Sequence, residues 1–418
     1  MKVLMVGGGG REHALVWKLA QSSKVTKIFC APGNGGIAEL AECADIAATD
    51  IGVMVAFAQE KQVDLVFVAP DDPLVLGMVD AMEAVGIRAF GPQKNAAILE
   101  GSKSFAKDFM KKYNVPTAAY ATFTDPEAAK ATVREWGAPI VVKADGLALG
   151  KGVVIAMTQE EAYCAVDDML VSHAFGKSGD KVVLEKYMTG PEVSVLCFTD
   201  GKTIVPMLSA QDHKRIFDDD KGPNTGGMGA FAPSPKYTPS IAQEVMDTII
   251  LPTLRGMEAE GRLFKGVLYF GLMLTQEGPK VIEYNVRFGD PEAQAVIPML
   301  ESDLVDIVEA ILQGKLDALD IRWKEGAAVT VVMASKGYPG SIEKGFSIQG
   351  IEDAEALGCS VFQAGTAKKN GGLETAGGRV LGVTAVSESF EDAIVKAYAG
   401  VSKINFHGAQ FRKDIGKK

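Results

Sequence analysis

Short unbroken apolar runs alternate with longer mixed stretches over roughly the first hundred residues, which predicts strands alternating with helices in a parallel, doubly wound sheet. KVLMV (2–6) reads as a buried strand, GGGG (7–10) as a tight turn, and REHALVWKLAQS (11–22) as a helix with Ala14, Leu15, Trp17 and Leu19 as its apolar positions. KIFCA (27–31), an acidic stretch read as helical, and VDLVFVAP (63–70) continue the alternation.

A second region begins near GSKSFAKDFMKKYNVPTA (101–118), where a helix ends and Pro116 starts an extended segment. PIVVKA (139–144) and VVIAM (153–157) flank a glycine-rich hairpin, a helix is expected over 158–170, and KVVLEKYM, EVSVLCFT and KTIVPML read as three strands. Then comes DHKRIFDDDKGPNTGGMGAFAPSP (212–235), polar, rich in Gly and Pro and without periodicity. It is expected as a long loop, and loops of that length are uncommon inside compact domains unless they serve a site. A long helix over 238–261 leads into GVLYFGLML and KVIEYNVRFGDPEAQ, and from 326 onward AAVTVVMAS, SVFQAG, RVLGVTAV and a helix suggest a smaller α+β unit.

Composition narrows the class of protein. The 418 residues are 47% hydrophobic and 23% charged, ordinary for a globular protein of several domains. A net charge of −10 argues against a nucleic-acid partner, which needs a basic face. Five cysteines, with no C-x-x-C pair, read as reduced thiols of a cytoplasmic protein. MKVLMVGGGGREH reads as neither a signal peptide nor a membrane span, and no apolar run reaches spanning length.

The Gly-Lys-Gly in KADGLALGKGVVIA (143–156) is not a Walker A loop, because only three residues separate Gly146 from Gly150 and no Ser or Thr follows Lys151. It joins two strands, and a glycine-rich tip can lay backbone N–H groups over a phosphate chain. A plain mobile hairpin would look the same. The opening turn fails the dinucleotide fingerprint, since Glu12 stands where the third glycine belongs. In VIEYNVRFGDPE (281–292), Glu283 and Asn285 share one face of a strand, joined by Arg287. Two oxygen ligands that leave room for water and phosphate suit magnesium. The alternative is an exposed polar face with Arg287 paired to Glu283.

These pieces occur in the order seen in ATP-grasp ligases: Lys103 on a helix, Lys143 before the hairpin, Glu185 to Glu192 as E-x-x-hydrophobic-x-G-x-E, and the E-x-N strand. GREHAL, GSKSFAKDF, KADGLALGKGVVIA, QDHKR, GPNTGGMGAF and EYNVRFGDPE, spread over nearly the whole chain, closely resemble the glycinamide ribonucleotide synthetase family. The resemblance implies an ATP-grasp architecture, α/β locally and α+β overall. An N-terminal doubly wound domain would span 1–101, and an ATP-grasp domain 102–312 with a flap at about 117–190. A small C-terminal α+β domain would span 326–418.

It implies ligation of glycine to 5-phosphoribosylamine with ATP going to ADP and phosphate, through a glycyl phosphate, in de novo purine synthesis. Lys103, Lys143, Asp145, Gly146, Gly150, Lys151 and Gly152 would meet the nucleotide, with Glu185 at the adenine and Glu192 at the ribose. Glu283 and Asn285 would hold Mg2+ or Mn2+, and Arg287 with Lys143 would stabilise the transferring phosphoryl group. Gly9, Gly10, Arg11, Glu12, Asp71, Asp212, His213, Lys214, Arg287 and Asp290 would line the substrate side. No nucleic acid or membrane enters this picture; a transient contact with the enzyme supplying phosphoribosylamine does. His13 and His213 lie in matched motifs, whereas His173 and His407 read as surface or structural residues. Departures from the family pattern are Gly8 in place of Asn, and Ala69, Asp71 and Asp72 in APDDPL where G-P-E-A-P-L is usual. Competing readings are another ATP-grasp carboxylate-amine ligase, a biotin-carboxylase relative and a non-catalytic nucleotide-binding module; Glu12 disfavours an NAD-dependent oxidoreductase.

Overall fold

The computed structural model describes residues 1–148, 152–369 and 371–417, so the expectations placed on Gly150 and Lys151 lie outside the described residues. Strands β1 (Lys2–Gly7), β2 (Lys27–Pro32), β3 (Glu42–Cys43), β4 (Leu65–Val68) and β5 (Arg88–Phe90) form a five-stranded sheet, β3-β2-β1-β4-β5, with every pair parallel. It is packed by α1 (Gly10–Leu19), α2 (Ile51–Lys61), α3 (Asp71–Leu76), α4 (Met78–Ala84) and α5 (Lys94–Gly101). Helix α1 buries Ala14, Leu15, Val16 and Leu19 and leaves Trp17 half-buried.

The acidic stretch before α2 is not helical beyond one 3-10 turn at Ile37–Glu39. Its Asp and Thr side chains compete with helical backbone bonding, and the regular helix starts where Asp50 accepts the Val53 N–H. Strand order reverses at β1, which lies between β2 and β4, so the loops after β1 and β4 meet at the carboxyl edge of the sheet. That crevice is where open α/β sheets bind ligands. It holds Gly7–Gly10 and residues 69–72.

Helix α6 (Lys103–Lys112) starts from the Ser102 cap. The region expected as a flap follows: β6 (Tyr120–Phe123), α7 (Pro126–Trp136), β7 (Ile140–Ala144), β8 (Val153–Ala156), α8 (Gln159–Leu170) and β9 (Val182–Lys186), with the antiparallel order β6-β9-β7-β8. It has a core of its own, in which Val133, Val142, Val166, Met169 and Leu184 pack together. Strands β10 (Glu192–Thr199) and β11 (Ile204–Pro206) begin the next sheet.

The polar segment expected as a loop is folded instead. It forms β12 (Gln211–Asp212), a hairpin of β13 (Arg215–Phe217) and β14 (Lys221–Asn224), and β15 (Gly229–Ala232). Strands this short carry no period that a sequence reading could detect. Helix α9 (Pro239–Val245) passes through a π-turn at Met246–Ile250 into α10 (Leu251–Ala259), close to Pro252, which lacks a backbone donor. Strands β16 (Gly266–Thr275) and β17 (Gly278–Asn285) complete the sheet β11-β10-β16-β17, and α11 (Glu292–Val296) and α12 (Leu304–Gln313) follow.

The last part contains β18 (Ala327–Ala334), α13 (Ile351–Ala356), β19 (Ser360–Gln363), β20 (Thr366–Lys369), β21 (Gly372–Thr375), β22 (Arg379–Ser387) and α14 (Phe390–Val401). Its main sheet runs β12-β15-β18-β22-β19, so two of the strands come from the polar segment of the preceding region. Apolar cores also cross the parts: Leu15 and Phe67 of the first pack with Phe198 and Phe288 of the second and Ala328 of the third.

Candidate active site

Strand β17 carries the expected metal pair, and its register decides where that pair points. Pairing with β16 runs Tyr269↔Asn285, Phe270↔Tyr284 and Gly271↔Glu283, then shifts to Leu272↔Val281, leaving Ile282 as an extra residue. Such a bulge reverses the in/out alternation. Val281 and Tyr284 both enter the core, while Glu283 and Asn285 share the opposite face. Gly271 makes room for the carboxylate, since a Cβ there would sit 3.3 Å from Glu283 Cγ. Among the described residues, neither Glu283 nor Asn285 has a side-chain hydrogen bond or ion pair within the protein. Burial pushes the Glu283 carboxyl up, but Lys214, Lys143, Lys103 and Arg287 outweigh it and hold it below its ordinary value.

Those cations come from separate elements. Lys103, the first residue of α6, donates to the Gly146 carbonyl at 2.9 Å. Lys143, on β7 and nearly fully buried, donates to the bulged Ile282 carbonyl at 3.1 Å and pairs with Glu185 at 2.8 Å. Glu185 is also buried, and its second oxygen meets Lys107 at 2.9 Å. Burial pushes the Glu185 carboxyl up, yet Lys143 and Lys107 bring it below its usual range. Lys107 also donates to Thr117 Oγ1 at 2.7 Å, and burial pulls its ammonium down to about 8. Sequence reasoning passed over Lys107, although its spacing four residues after Lys103 places it on the same side of α6.

At the base of the hairpin, the Asp145 carboxylate is taken up by the start of α6, accepting the Ser104 N–H at 2.6 Å, while the Asp145 carbonyl accepts the Lys103 N–H at 2.8 Å. The loop is thereby tied to the helix that presents Lys103. A Cβ on Gly146 would lie 2.6 Å from Ser178 Oγ, and one on Gly152 would lie 2.6 Å from Ala148 Cβ.

Across the cleft, Lys214 donates to Glu192 at 2.7 Å. Burial alone would lower the Lys214 ammonium, but Glu192, Asp212 and Glu283 hold it well above its ordinary value. Asp212 is pushed up to about 7, mainly by burial and then by Glu292, Glu192 and Glu283 against the pull of Lys214. A carboxyl titrating near neutrality beside an ammonium can take up or release a proton. Glu292 accepts from Tyr269 Oη at 2.8 Å and Ser194 Oγ at 3.0 Å in a buried cluster. His213 Nε2 accepts the Gly416 N–H at 3.3 Å, at the C-terminal tail.

On the crevice side, Glu12 Oε2 accepts the Gly9 N–H at 2.6 Å and its other oxygen takes Arg11 Nε, so the side chain that breaks the dinucleotide fingerprint closes the turn itself. Arg11 also donates to the Phe288 carbonyl at 3.1 Å. Gly10 is covered by Gln294, whose Nε2 would lie 2.5 Å from a Cβ there. Gly8 admits no side chain, because a Cβ would lie 2.4 Å from the Gly33 carbonyl oxygen. Arg287 does not pair with Glu283. Its Nη2 meets Glu100 at 2.8 Å and, more loosely, Asp71 at 3.7 Å, as the shorter side chain at 71 allows. Glu100 accepts the Val286 N–H at 2.7 Å with its other oxygen, and burial raises its carboxyl to about 7 against the pull of Arg287. Asp290 pairs with Arg379 of β22 at 3.0 Å, and Arg379 also reaches the carbonyls of Gly226 and Asp290. Nothing in the order of residues marks Glu100, and Arg379, in the matched GGRVLGVTA segment, reaches the cleft through tertiary packing. The cleft thus joins all three parts of the chain.

Comparison with known proteins agrees with this layout. The phosphoribosylglycinamide synthetase N domain matches residues 1–100, its ATP-grasp (A) domain 101–293 and its C domain 328–418. The phosphoribosylamine–glycine ligase of Brucella melitensis is 52% identical over 417 residues, covering 100% of this chain and 97% of its own. That of Halalkalibacterium halodurans is 50% identical over 418 residues, with the same coverage of both. The crystal structure of phosphoribosylamine–glycine ligase from Thermotoga maritima superposes with a TM-score of 0.86 at 33% identity, covering 99% of this chain and 100% of that one. The biotin carboxylase domain of the Hydrogenobacter thermophilus 2-oxoglutarate carboxylase, solved with MgADP, shares the fold at a TM-score of 0.74 and 18% identity, over 98% of this chain and 91% of its own. Matched along its length, this chain has the ATP-grasp fold and belongs to the phosphoribosylglycinamide synthetase family.

Proposed function

We propose that this chain is an ATP-dependent ligase that joins glycine to 5-phosphoribosylamine, giving glycinamide ribonucleotide, ADP and phosphate. The observation that carries the reading is the convergence of Lys103, Lys143, Lys214 and Arg287 on Glu283, a carboxylate without a direct protein partner among the described residues. Lys143, Lys214 and Arg287 are held in place by Glu185, Glu192 and Glu100, around an acid that among the described residues is itself left unpaired, as a site that takes a metal ion together with its phosphate would need.

A carboxylate acylates poorly, so a glycine oxygen first bonds to the γ-phosphorus while the bond to the β-phosphate bridging oxygen breaks and ADP leaves. The amine nitrogen then bonds to the acyl carbon, phosphate departs and the amine loses a proton. Neither step needs a protein nucleophile; catalysis is positioning and neutralisation of charge. Lys103 and Lys143 would bind the phosphate chain, and Arg287, oriented by Glu100, would face the transferring group. Glu192 would receive the ribose and Glu185 would keep the two buried lysines in place. Asp212, titrating near neutrality, is suited to accept the proton released by the amine. Arg11, Asp71 and Asp290 would line the amine side.

One carboxylate and one amide oxygen suit a hard divalent cation that keeps part of its shell as water and phosphate. Among the described residues no cluster of three or more His, Cys, Asp or Glu could hold a metal alone, in keeping with a shared site. Glu283 and Asn285 would hold Mg2+ or Mn2+, which when bound would offset phosphate charge. The hairpin from Gly146 to Gly152 would act as a lid that keeps water from the acyl phosphate. No helix among the described residues is long and apolar enough to cross a membrane. From its five cysteines, which form no C-x-x-C pair, we assign the enzyme to the cytoplasm. There a transient contact with its amine supplier would protect an unstable substrate.

The test is ADP and amide formation with ATP, glycine and phosphoribosylamine, each omitted in turn. Amide that requires all three is expected. Amide formed from β-alanine but not from glycine would overturn the substrate assignment.

A further inference from the structure

Residues 411–416, FRKDIG, follow the last helix and contain Arg412, whose side chain is 0% exposed. A buried guanidinium needs acceptors for its fixed fork of donors. Nε and Nη2 of Arg412 take the Asp414 carboxylate at 2.8 and 2.7 Å, while Nη1 crosses to the Asp220 carboxylate at 2.9 Å and the Arg215 carbonyl at 3.1 Å. The backbone adds to this contact. The Lys413 N–H donates to Asp218 at 2.7 Å, and the Asp219 N–H donates to Asp414 at 2.9 Å.

What the tail grips is the tip of the β13–β14 hairpin. Asp219 and Asp220 there have φ of 58° and 51°, a left-handed backbone that residues with a Cβ keep only when their surroundings impose it. Two residues further along, the tail reaches the strand that enters the cleft. The Gly416 N–H donates to His213 Nε2, and Ile415 fills the space over Gly229, where a Cβ would meet its Cδ1 at 2.8 Å. The His213 N–H donates in turn to the Gly229 carbonyl at 2.9 Å. His213 and the hairpin flank Asp212 and Lys214, so the tail holds this segment from the side away from the cleft.

We infer that Arg412 and the following tail to Gly416 are a positioning clamp that sets Asp212 and Lys214 for the amino acid. The inference rests on the proposed ligase reading, in which Asp212 takes the proton released as the amine attacks the glycyl carbon and so lies at the amino-acid end of the cleft. Arg412 touches no substrate and acts through the hairpin and His213. Most of the nucleotide side is anchored separately, by α6 and strands β7 and β9, and Glu192 meets this segment only through Lys214, so the clamp bears chiefly on the amino acid.

Steady-state kinetics of wild type, Arg412→Met and Asp220→Asn test this. Asp220→Asn keeps a residue that tolerates left-handed backbone, and its half-exposed side chain makes it the variant that stays folded if Arg412→Met does not. Arg412→Met is expected to raise the KM for glycine about tenfold and Asp220→Asn about threefold, with the KM for ATP within twofold in both. Equal changes in both KM values, or a glycine KM within twofold of wild type in the folded variants, would overturn the clamp. Limited trypsin cleavage after Arg215 and Lys221 gives a readout independent of turnover, and cleavage faster than wild type is expected in Asp220→Asn. Wild type that forms no ADP with glycine would contradict the ligase reading; the clamp would then stand on faster cleavage and fall on unchanged cleavage.

Discussion

The two halves of the cleft are built in different ways. On the half proposed for the nucleotide, Lys103, Lys107, Lys143 and Glu185 come from one helix and adjacent strands of one sheet, and their contacts with one another lie within residues 103–185. On the half proposed for the amine, Arg11 and Asp71 come from the first part of the chain, Asp290 from the second, together with Arg287, which reaches Asp71 from the proposed phosphoryl site, and Arg379 from the third. A half built within one region can keep its geometry through small domain movements. A half built by ion pairs across regions exists only when all three are docked, which couples assembly of the amine site to domain closure.

The largest effect is expected where the halves meet. Glu283→Ala should lower kcat by about a hundredfold or more, on the scale of losing roughly 3 kcal/mol of transition-state electrostatics, while the melting temperature changes little. Near-normal turnover at low magnesium would remove Glu283 from the metal site.

The amine half should be sensitive to pH through Glu100. Its folded pKa, about 7, lies above the ordinary 4.5, so between those values the folded protein binds the extra proton and stability falls as pH rises. Against Glu100→Gln, wild type should lose up to about 3 kcal/mol of unfolding free energy between pH 4.5 and 7 and nothing further above that. Denaturant titrations across this range measure it, and a constant difference between the two proteins would contradict the assignment.

Lys107→Met should act on the nucleotide half alone. With Glu185 left to one lysine, the KM for ATP should rise about tenfold while that for phosphoribosylamine stays within twofold. An equal rise in both would show that the halves are not separable. The smallest effect is expected from Gly146→Ala, where the new methyl must displace Ser178. A threefold to fivefold fall in kcat/KM for ATP, on the order of 1 kcal/mol, is expected from initial rates.

The same contrast explains what could be read from the chain. The parallel sheet, the flap strands and the E-x-N strand were legible because apolar runs and two-residue alternation are local signals. Even there the Ile282 bulge was invisible, although it is what turns Glu283 and Val281 to opposite faces. The polar segment 212–235 was read as loop because β12 to β15 are too short to show a period and are held by β18 and the tail. Glu100 had no motif to announce it, and Arg379 lies in the matched GGRVLGVTA segment, but its partner Asp290 could not be read from spacing, since a long-range ion pair leaves no mark there. His213 lies in a matched motif beside Asp212 and Lys214, and its bond to the Gly416 N–H is a long-range contact that no spacing announces.

The separation of the halves is tested most directly by Arg379→Met, which removes the third part's contribution to Asp290 and leaves the lysines of the first half unchanged. The measurement is the change in KM for phosphoribosylamine set beside the change in KM for ATP. A rise of about tenfold for the amine with ATP within twofold is the result predicted. An ATP KM that rises as much as the amine KM, or an amine KM that does not move, would contradict the account.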